Sequence, residues 1–401
     1  LSDQWALRFS ASNKARDGYI TRIIDGLKTG DDNSQVVRAQ IRFQPNDKLD
    51  FLLAADRIRT YDHGNGTTIG GYSPTDLYPA GLFSATPSAN AIALRATTPS
   101  GVATFAPGTA AATFARYTVT DRYSVYGGNV DQNEFRSNSA SLTISYSIND
   151  NLSLKSITSQ SSNHQRMKQD WDRTPINLFN LNEFIDMKYT TQELQLNGNY
   201  DRLNWVAGLY YFKDDSFDNK FRDSPTDGVN GREFKDLTTK SQAAFAQATY
   251  KFTDRLSGTL GMRWSQDKKD YTTFRSTRNI IAGVPTPYTA PAGKWTDNSP
   301  RVGLEQRWTP TVMTYLSFAK GYKAGGLNDT MVNAPGSTIC SPGTLPVSGT
   351  NPANCGLTQF LPENLKNYEF GLRSEFFDRR LRFNVTAFEA DYKDMQVQLI
   401  D

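Results

Sequence analysis

Hydrophobic and polar residues alternate with period two through most of the chain. From Ala140 to Ile148 every second residue is apolar and each one between is Ser or Thr. Leu256, Leu260, Met262 and Trp264 alternate with Ser257, Thr259, Arg263 and Ser265. Val302, Leu304 and Trp308 alternate with Arg301, Glu305 and Arg307, and Tyr368, Phe370, Leu372 and Phe376 with Glu369, Arg373 and Glu375. A strand sends successive side chains to opposite faces, so each segment predicts a strand with one apolar and one wet face. About thirteen strands are predicted, near 4–14, 34–44, 48–60, 134–147, 151–170, 186–199, 202–216, 239–252, 255–270, 297–309, 312–321, 364–377 and 380–394. Several exceed the ~5–6 residues usual in soluble sheets and reach the ~9–11 that a tilted membrane strand needs. The rhythm set by Leu381, Phe383 and Val385 breaks between Phe388 and Tyr392, where a bulge is expected.

The connections alternate in length. Short Asn/Asp/Thr turns recur at Pro45–Lys48, Asn149–Asn151, Asp201–Arg202, Thr253–Arg255, Thr309–Thr311 and Asp378–Arg380. An aromatic residue precedes most of them: Phe43, Tyr146, Tyr200, Phe252, Trp308 and Phe377. The other connections are predicted as long loops near 62–133, 173–186, 218–238, 271–296 and 322–362, rich in Gly, Pro, Ser, Thr and Asn. Structureless loops of that size do not suit a compact soluble domain. Short turns at one end and long loops at the other are the asymmetry of an outer-membrane barrel, and a wet lumen accepts the charges on the polar faces. The expected fold class is therefore an all-β, transmembrane antiparallel barrel.

Composition bears on this in two ways. The mean hydropathy of −0.56 would suit a soluble protein, and no run of ~20 apolar residues offers a membrane helix. A barrel wall averages its lipid-facing and lumen-facing residues, so neither observation counts against it. Aromatic residues make up 12% of the chain beside only two His and two Cys, and rings with polar tips suit a membrane boundary. An aromatic-rich β-sandwich explains composition alone equally well. The net charge of +3 and the dispersed Lys and Arg give no stripe for nucleic acid. No export leader is visible at Leu1.

Taken in order, several segments resemble the TonB-dependent receptors, a family of energy-coupled outer-membrane importers. They are Arg16–Ile20, Val37–Asp47, Phe318–Asn328 (FAKGYKAGGLN), Pro362–Gly371 (PENLKNYEFG) and Phe388–Gln398 (FEADYKDMQVQ). The similarity spans essentially residues 1–401. It implies a 22-stranded barrel with a plugged lumen, TonB as energising partner through a box ahead of the plug, and outer-membrane lipid around the wall. On this reading the sequence is part of the barrel domain, about thirteen of the 22 strands, without plug or TonB box. An odd number of strands would also leave edges open in lipid, so further strands are expected to complete the wall. The implied cargo is a scarce bulky ligand, first an iron–siderophore complex, with cobalamin, haem, an oligosaccharide or a passive porin as alternatives.

Nothing points to an enzyme, a cofactor or a resident metal. His63 and His164 lack zinc-site spacing and read as surface polar residues in or near loops. Asp31-Asp32 and Asp214-Asp215 have no EF-hand pattern and read as solvated strand ends. The glycines at 64, 66, 70 and 71 are not followed by the strand–helix context of a phosphate loop. Cys340 and Cys355 share one long loop and are expected to form a disulfide in an oxidising exterior, with two free thiols as the alternative. Candidate ligand contacts are the loop aromatics and cations Tyr72, Tyr78, Tyr117, Tyr123, Tyr126, Arg166, Trp171, Arg222, Tyr322 and Lys323. Rings stack on flat ligands and Arg or Lys holds an anionic chelate, while girdle or loop packing is the competing role. Arg38, Arg42, Arg263, Arg301, Glu305, Arg307, Arg373 and Glu375 are expected to face the plug.

Overall fold

A computed structural model describes residues 2–64, 121–171, 180–224, 229–275, 288–333 and 355–397, with isolated positions at 96–98, 101–103, 117, 119, 173 and 175. Thirteen strands form its wall: β1 (Trp5–Arg16), β2 (Asp32–Asn46), β3 (Leu49–Asp62), β4 (Gln132–Asn149), β5 (Leu152–Asp170), β6 (Asn180–Asn199), β7 (Leu203–Ser224), β8 (Val229–Lys251), β9 (Leu256–Arg275), β10 (Tyr288–Thr309), β11 (Val312–Lys323), β12 (Glu363–Phe376) and β13 (Leu381–Lys393). They lie side by side in chain order as one antiparallel sheet with β1 and β13 at its edges. Each predicted strand is present.

The register carries the alternation across the sheet. Leu53 faces Leu142, Leu196 faces Leu154, Leu209 faces Leu194, Leu260 faces Val302, Leu316 faces Leu304 and Phe370 faces Leu316. These side chains share one face and stand open, Leu260 with 66% of its surface exposed. That face is the lipid side. On the other face Arg38 pairs with Asp56 at 3.0 Å and Arg42 with Asp50 at 2.8 Å. Arg263 stands over the rings of Tyr210 and Phe245. Gly371 leaves room for the ring of Tyr315, which covers it while Arg373 stacks above. Neighbouring charges thus satisfy one another in a wet interior rather than in a dry core. Buried apolar residues are accordingly few among the described residues, and two of them, Ile20 and Val125, belong to a small separate sheet and not to the wall.

Side chains close the short turns. Asn46 Oδ1 accepts from the N–H groups of Lys48 and Leu49, and Asn149 Oδ1 from that of Asn151. Thr253 Oγ1 accepts from Arg255 and Leu256 in the same way. These are the Asx- and Ser/Thr-turns that Asn and Thr form at strand ends. The preceding aromatics cluster at this end: Trp5 stacks on Phe43 at 4.2 Å and Tyr250 meets Phe252 edge to face at 5.2 Å.

Four expectations need correction. The segments read as loops are partly strand: β7 and β8 run through most of 218–238, β9 and β10 enter 271–296, and β6 begins inside 173–186. Beyond the apolar band the outer face turns polar and the hydropathy rhythm disappears, yet Lys220 still reaches Glu183 and Phe217 still meets Phe234 across the ladder. Within 62–133 lie short strands at Ala96–Thr98, Gly101–Ala103 and Ser124–Val125, and within 322–362 the strands Gly326–Asn333 and Cys355–Phe360 pair with each other. Third, β13 has no bulge. Its pairing with β12 is continuous, so Phe388 faces Glu369 on the inner side and Glu389 faces Tyr368 on the outer. The rhythm changes there because an aromatic residue takes an inner position and a carboxylate an outer one, with the ladder unbroken. Finally, Asp214-Asp215 sits mid-strand in β7, Asp214 accepting from Ser216 and Asp215 pairing with Lys213.

Candidate functional site

The end of the wall opposite the short turns carries an ordered assembly built from residues 17–31 and 121–131. Ile20–Arg22 pairs with Lys28–Thr29 on one side and, in parallel, with Ser124–Val125 on the other. Arg22, almost wholly buried, holds Asp25 through Nε at 2.9 Å and donates to Gly128 O at 3.3 Å. That guanidinium keeps the Asp25 carboxyl below the usual carboxylate range. The Asp121 carboxylate accepts from Tyr123 N–H at 3.0 Å and Ser124 Oγ at 2.7 Å, which lowers its pKa as well.

The assembly is fixed to the strand tops by three carboxylates. Asp170, last residue of β5 and 1% exposed, accepts from the N–H groups of Gly128 and Asn129 at 2.5 and 3.1 Å. Its own N–H donates to Asp131 Oδ1 at 2.8 Å, and Arg173 donates to Asp131 Oδ2 at 2.5 Å. Asp31 accepts from the backbone of His63 at 2.7 Å and lies 3.0 Å from its ring. His63 and Asp31 are therefore not solvated polar residues but parts of this clamp; Asp32 by contrast pairs with the exposed Lys14 at a strand end. A buried carboxylate requires such donors, since desolvation otherwise opposes its charge. Sequence reasoning missed Arg22, Asp131, Asp170 and Arg173. Asp131 and Asp170 are 39 positions apart and meet through the β4–β5 pairing, Arg173 follows Asp170 by three residues, and Arg22 is placed by the parallel pairing with Val125.

The clamp positions several of the expected ligand contacts. Tyr117 packs edge to face on Tyr126 at 5.2 Å, and Tyr123 on Tyr19 at 6.2 Å. Arg16 lies over Tyr19 and Arg122 over Tyr123. Trp171 follows Asp170 directly, stays half exposed and donates through its indole N–H to Gln169 at 2.7 Å. Tyr322 and Lys323 end β11, six strands away from β5. There Lys269 donates to Gly325 O at 2.9 Å beside the Trp295 ring. Arg222 belongs to β7 through its backbone. Tyr72, Tyr78 and Cys340 lie outside the described residues, and Cys355 is described only as the first residue of its strand. Arg166 requires a correction: its register with Glu134 and Phe184 puts it on the lipid-side face, away from the lumen. His164 shares that face in mid-strand, not in a loop, 2.5 Å from Asp186.

The rim thus offers paired rings and guanidinium groups to an anionic or flat ligand. Among the described residues no cluster of His, Cys, Asp or Glu could hold a metal ion.

Comparison with known proteins agrees with this architecture. Residues 60–401 match the family model described as TonB dependent receptor-like, beta-barrel. The fold is similar to that of the ferric yersiniabactin uptake receptor FyuA from Yersinia pestis, at a TM-score of 0.69 and 19% identity over 100% of this chain and 52% of that one. It is similar to the ferric-catecholate import receptor Fiu from E. coli K12 in its closed form, at 0.62 and 15% over 98% and 55%. It is also similar to the copper transporter OprC, at 0.59 and 12% over 98% and 51%. The chain spans about half the length of these solved structures.

Proposed function

Because the chain belongs to the TonB-dependent receptor family and to its outer-membrane β-barrel, we propose that it forms part of the wall and outer rim of an importer for a scarce, bulky ligand. An iron–siderophore complex is the first candidate. The observation that carries this reading is the asymmetry of the wall: side-chain-closed turns at one end, and at the other a clamped rim of rings and guanidinium groups. Such a rim suits a large ligand with flat, acidic donor groups. The proposed contacts are Tyr72, Tyr78, Tyr117, Tyr123, Tyr126, Trp171, Arg222, Tyr322 and Lys323. Arg166 is left out because it faces lipid.

The inward charges Arg263, Arg301, Glu305 and Arg373 are proposed to meet a plug, and TonB is proposed to supply the energy through it. Family relatives carry different cargo, copper in one case and ferric chelates in others, so the cargo is decided by binding. Full-length protein should bind one of a panel of ferric siderophores under iron limitation at submicromolar concentration. Binding of haem, cobalamin or an oligosaccharide in place of every ferric chelate would reassign the cargo. A steady open conductance with the whole chain present would replace energised import by a passive pore.

A further inference from the structure

Arg136, His164 and Arg166 form a polar cluster on the outside of the wall. Arg136 faces His164 across β4 and β5, and His164 faces Asp186 across β5 and β6. These positions have the same parity as Tyr146, Leu142 and Leu154, so the cluster shares the lipid-side face. Its height follows from the strand. Arg136 lies about ten residues from Tyr146 at the turn end, ~33 Å along a strand rising ~3.3 Å per residue. At a tilt of ~40° this is ~25 Å across the membrane, the height of a barrel's apolar band. The cluster therefore stands at the level of the lipid headgroups in the loop-side leaflet.

Charge at that level is unevenly matched. Glu134 holds Arg136 and lies 3.8 Å from Arg59, and Asp186 takes His164. Arg166 lies over the Phe184 ring at 5.8 Å and, like Lys168 two positions on, has no carboxylate partner among the described residues. A shallow cavity of about 250 Å³ opens between these side chains. A second, of about 340 Å³, lies nearer the loop end and is lined in part by Lys168, Gln132 and Asn182. Arg166 and Lys168 are thus exposed cations that face away from the lumen and meet no carboxylate among the described residues.

We propose that this groove binds the phosphate groups of an anionic lipid in the outer leaflet. The guanidinium forks of Arg136 and Arg166 suit phosphate oxygens, Lys168 adds a point charge, and the Phe184 ring lies level with Arg166 on the same face. The inference depends on the membrane placement of the wall and not on which ligand is imported.

The test uses the full-length protein in detergent and three probes: an acylated, bis-phosphorylated glucosamine disaccharide, its dephosphorylated form, and inorganic phosphate. Wild type should retain the phosphorylated lipid, with affinity falling as salt rises. The triple variant Arg136→Gln/Arg166→Gln/Lys168→Gln should bind it about tenfold more weakly. Arg263→Gln on the inner face should leave retention unchanged. Heat-dependent gel mobility checks that each barrel is folded; if the triple variant fails, Arg166→Gln, which breaks no ion pair, carries the test with about a threefold loss. Undiminished retention by a folded variant, or equal binding of the dephosphorylated lipid, would overturn the proposal. Inorganic phosphate competing as well as the lipid would turn the site into one for a soluble anion and overturn it too.

Discussion

The carboxylate of Asp170 accepts the backbone N–H of Gly128 at 2.5 Å across 42 positions of sequence. That bond, with those to Asn129 and Arg173, ties the loop-end assembly to the top of β5. Replacing Asp170 with Ala would leave buried N–H groups without an acceptor, at a cost of ~1–3 kcal/mol. Since the clamp sits on the rim, the expected effect is local. Amide exchange across 121–131 should quicken ten- to a hundredfold while exchange in β5 to β9 stays as slow as before. Equal acceleration in the wall would mean that Asp170 supports the barrel and not only the loop.

The two faces of β9 can be told apart by one charge. Leu260 points to lipid midway between Phe252 and Trp264, whereas Thr259 points inward and shares a hydrogen bond with Thr249 at 2.9 Å. Leu260→Arg near the midplane should cost ~2–4 kcal/mol, and Thr259→Arg far less because its side chain enters the wet interior. Urea-dependent unfolding in lipid vesicles measures both. Equal losses would reject this register.

How legible the molecule was depends on where a residue lies relative to lipid. Inside the apolar band each strand is forced to alternate, so Leu142, Leu260 and Phe370 could be placed outward, and Arg263 and Arg373 inward, from sequence alone. Past the band both faces are wet and the pattern ends before the strand does. For that reason β7 and β8 outrun their predicted limits. The change of rhythm at Phe388 suggested a bulge where the ladder is regular, because an inward ring and an outward carboxylate reverse the pattern without breaking the pairing. Arg166 looked like a ligand contact because a cation near a loop gives no sign of its face until the register is known. The Asp31, Asp131 and Asp170 clamp was hidden for a different reason. Its bonds go to backbone N–H groups, and those leave no trace in residue type.

Cys340 and Cys355 are proposed to be joined. Cys355 begins a strand that pairs with Gly326–Asn333 beyond the wall, on the side proposed to face the oxidising exterior. Closing a loop of about 15 residues would stabilise by ~3 kcal/mol in the chain-entropy model. Mass spectrometry of non-reduced, alkylated protein should find one linked peptide pair. Two alkylated thiols would refute the bond.

The last expectation separates the two ends of the wall by function. Rigid strands hold the rim in place, so its loops can carry recognition while the scaffold stays intact. The pair Gly326–Asn333 and Cys355–Phe360 belongs to a sheet of its own and not to the wall. Deleting 327–359 with a short Gly/Ser linker therefore removes no wall strand and leaves the β11–β12 pairing of Tyr322 with Asn364 in place. Assembly, read by heat-dependent gel mobility, should persist, while affinity for the imported ligand falls at least tenfold, ~1.4 kcal/mol or more. At the opposite end, Asp201-Arg202 joins β6 to β7 by a turn in which Tyr200 N–H donates to Leu203 O at 2.9 Å. Exchanging the pair for Asn-Gly keeps a turn of that length and should leave affinity unchanged. If the turn variant loses binding and the loop deletion keeps it, the recognition end has been assigned to the wrong side of the membrane.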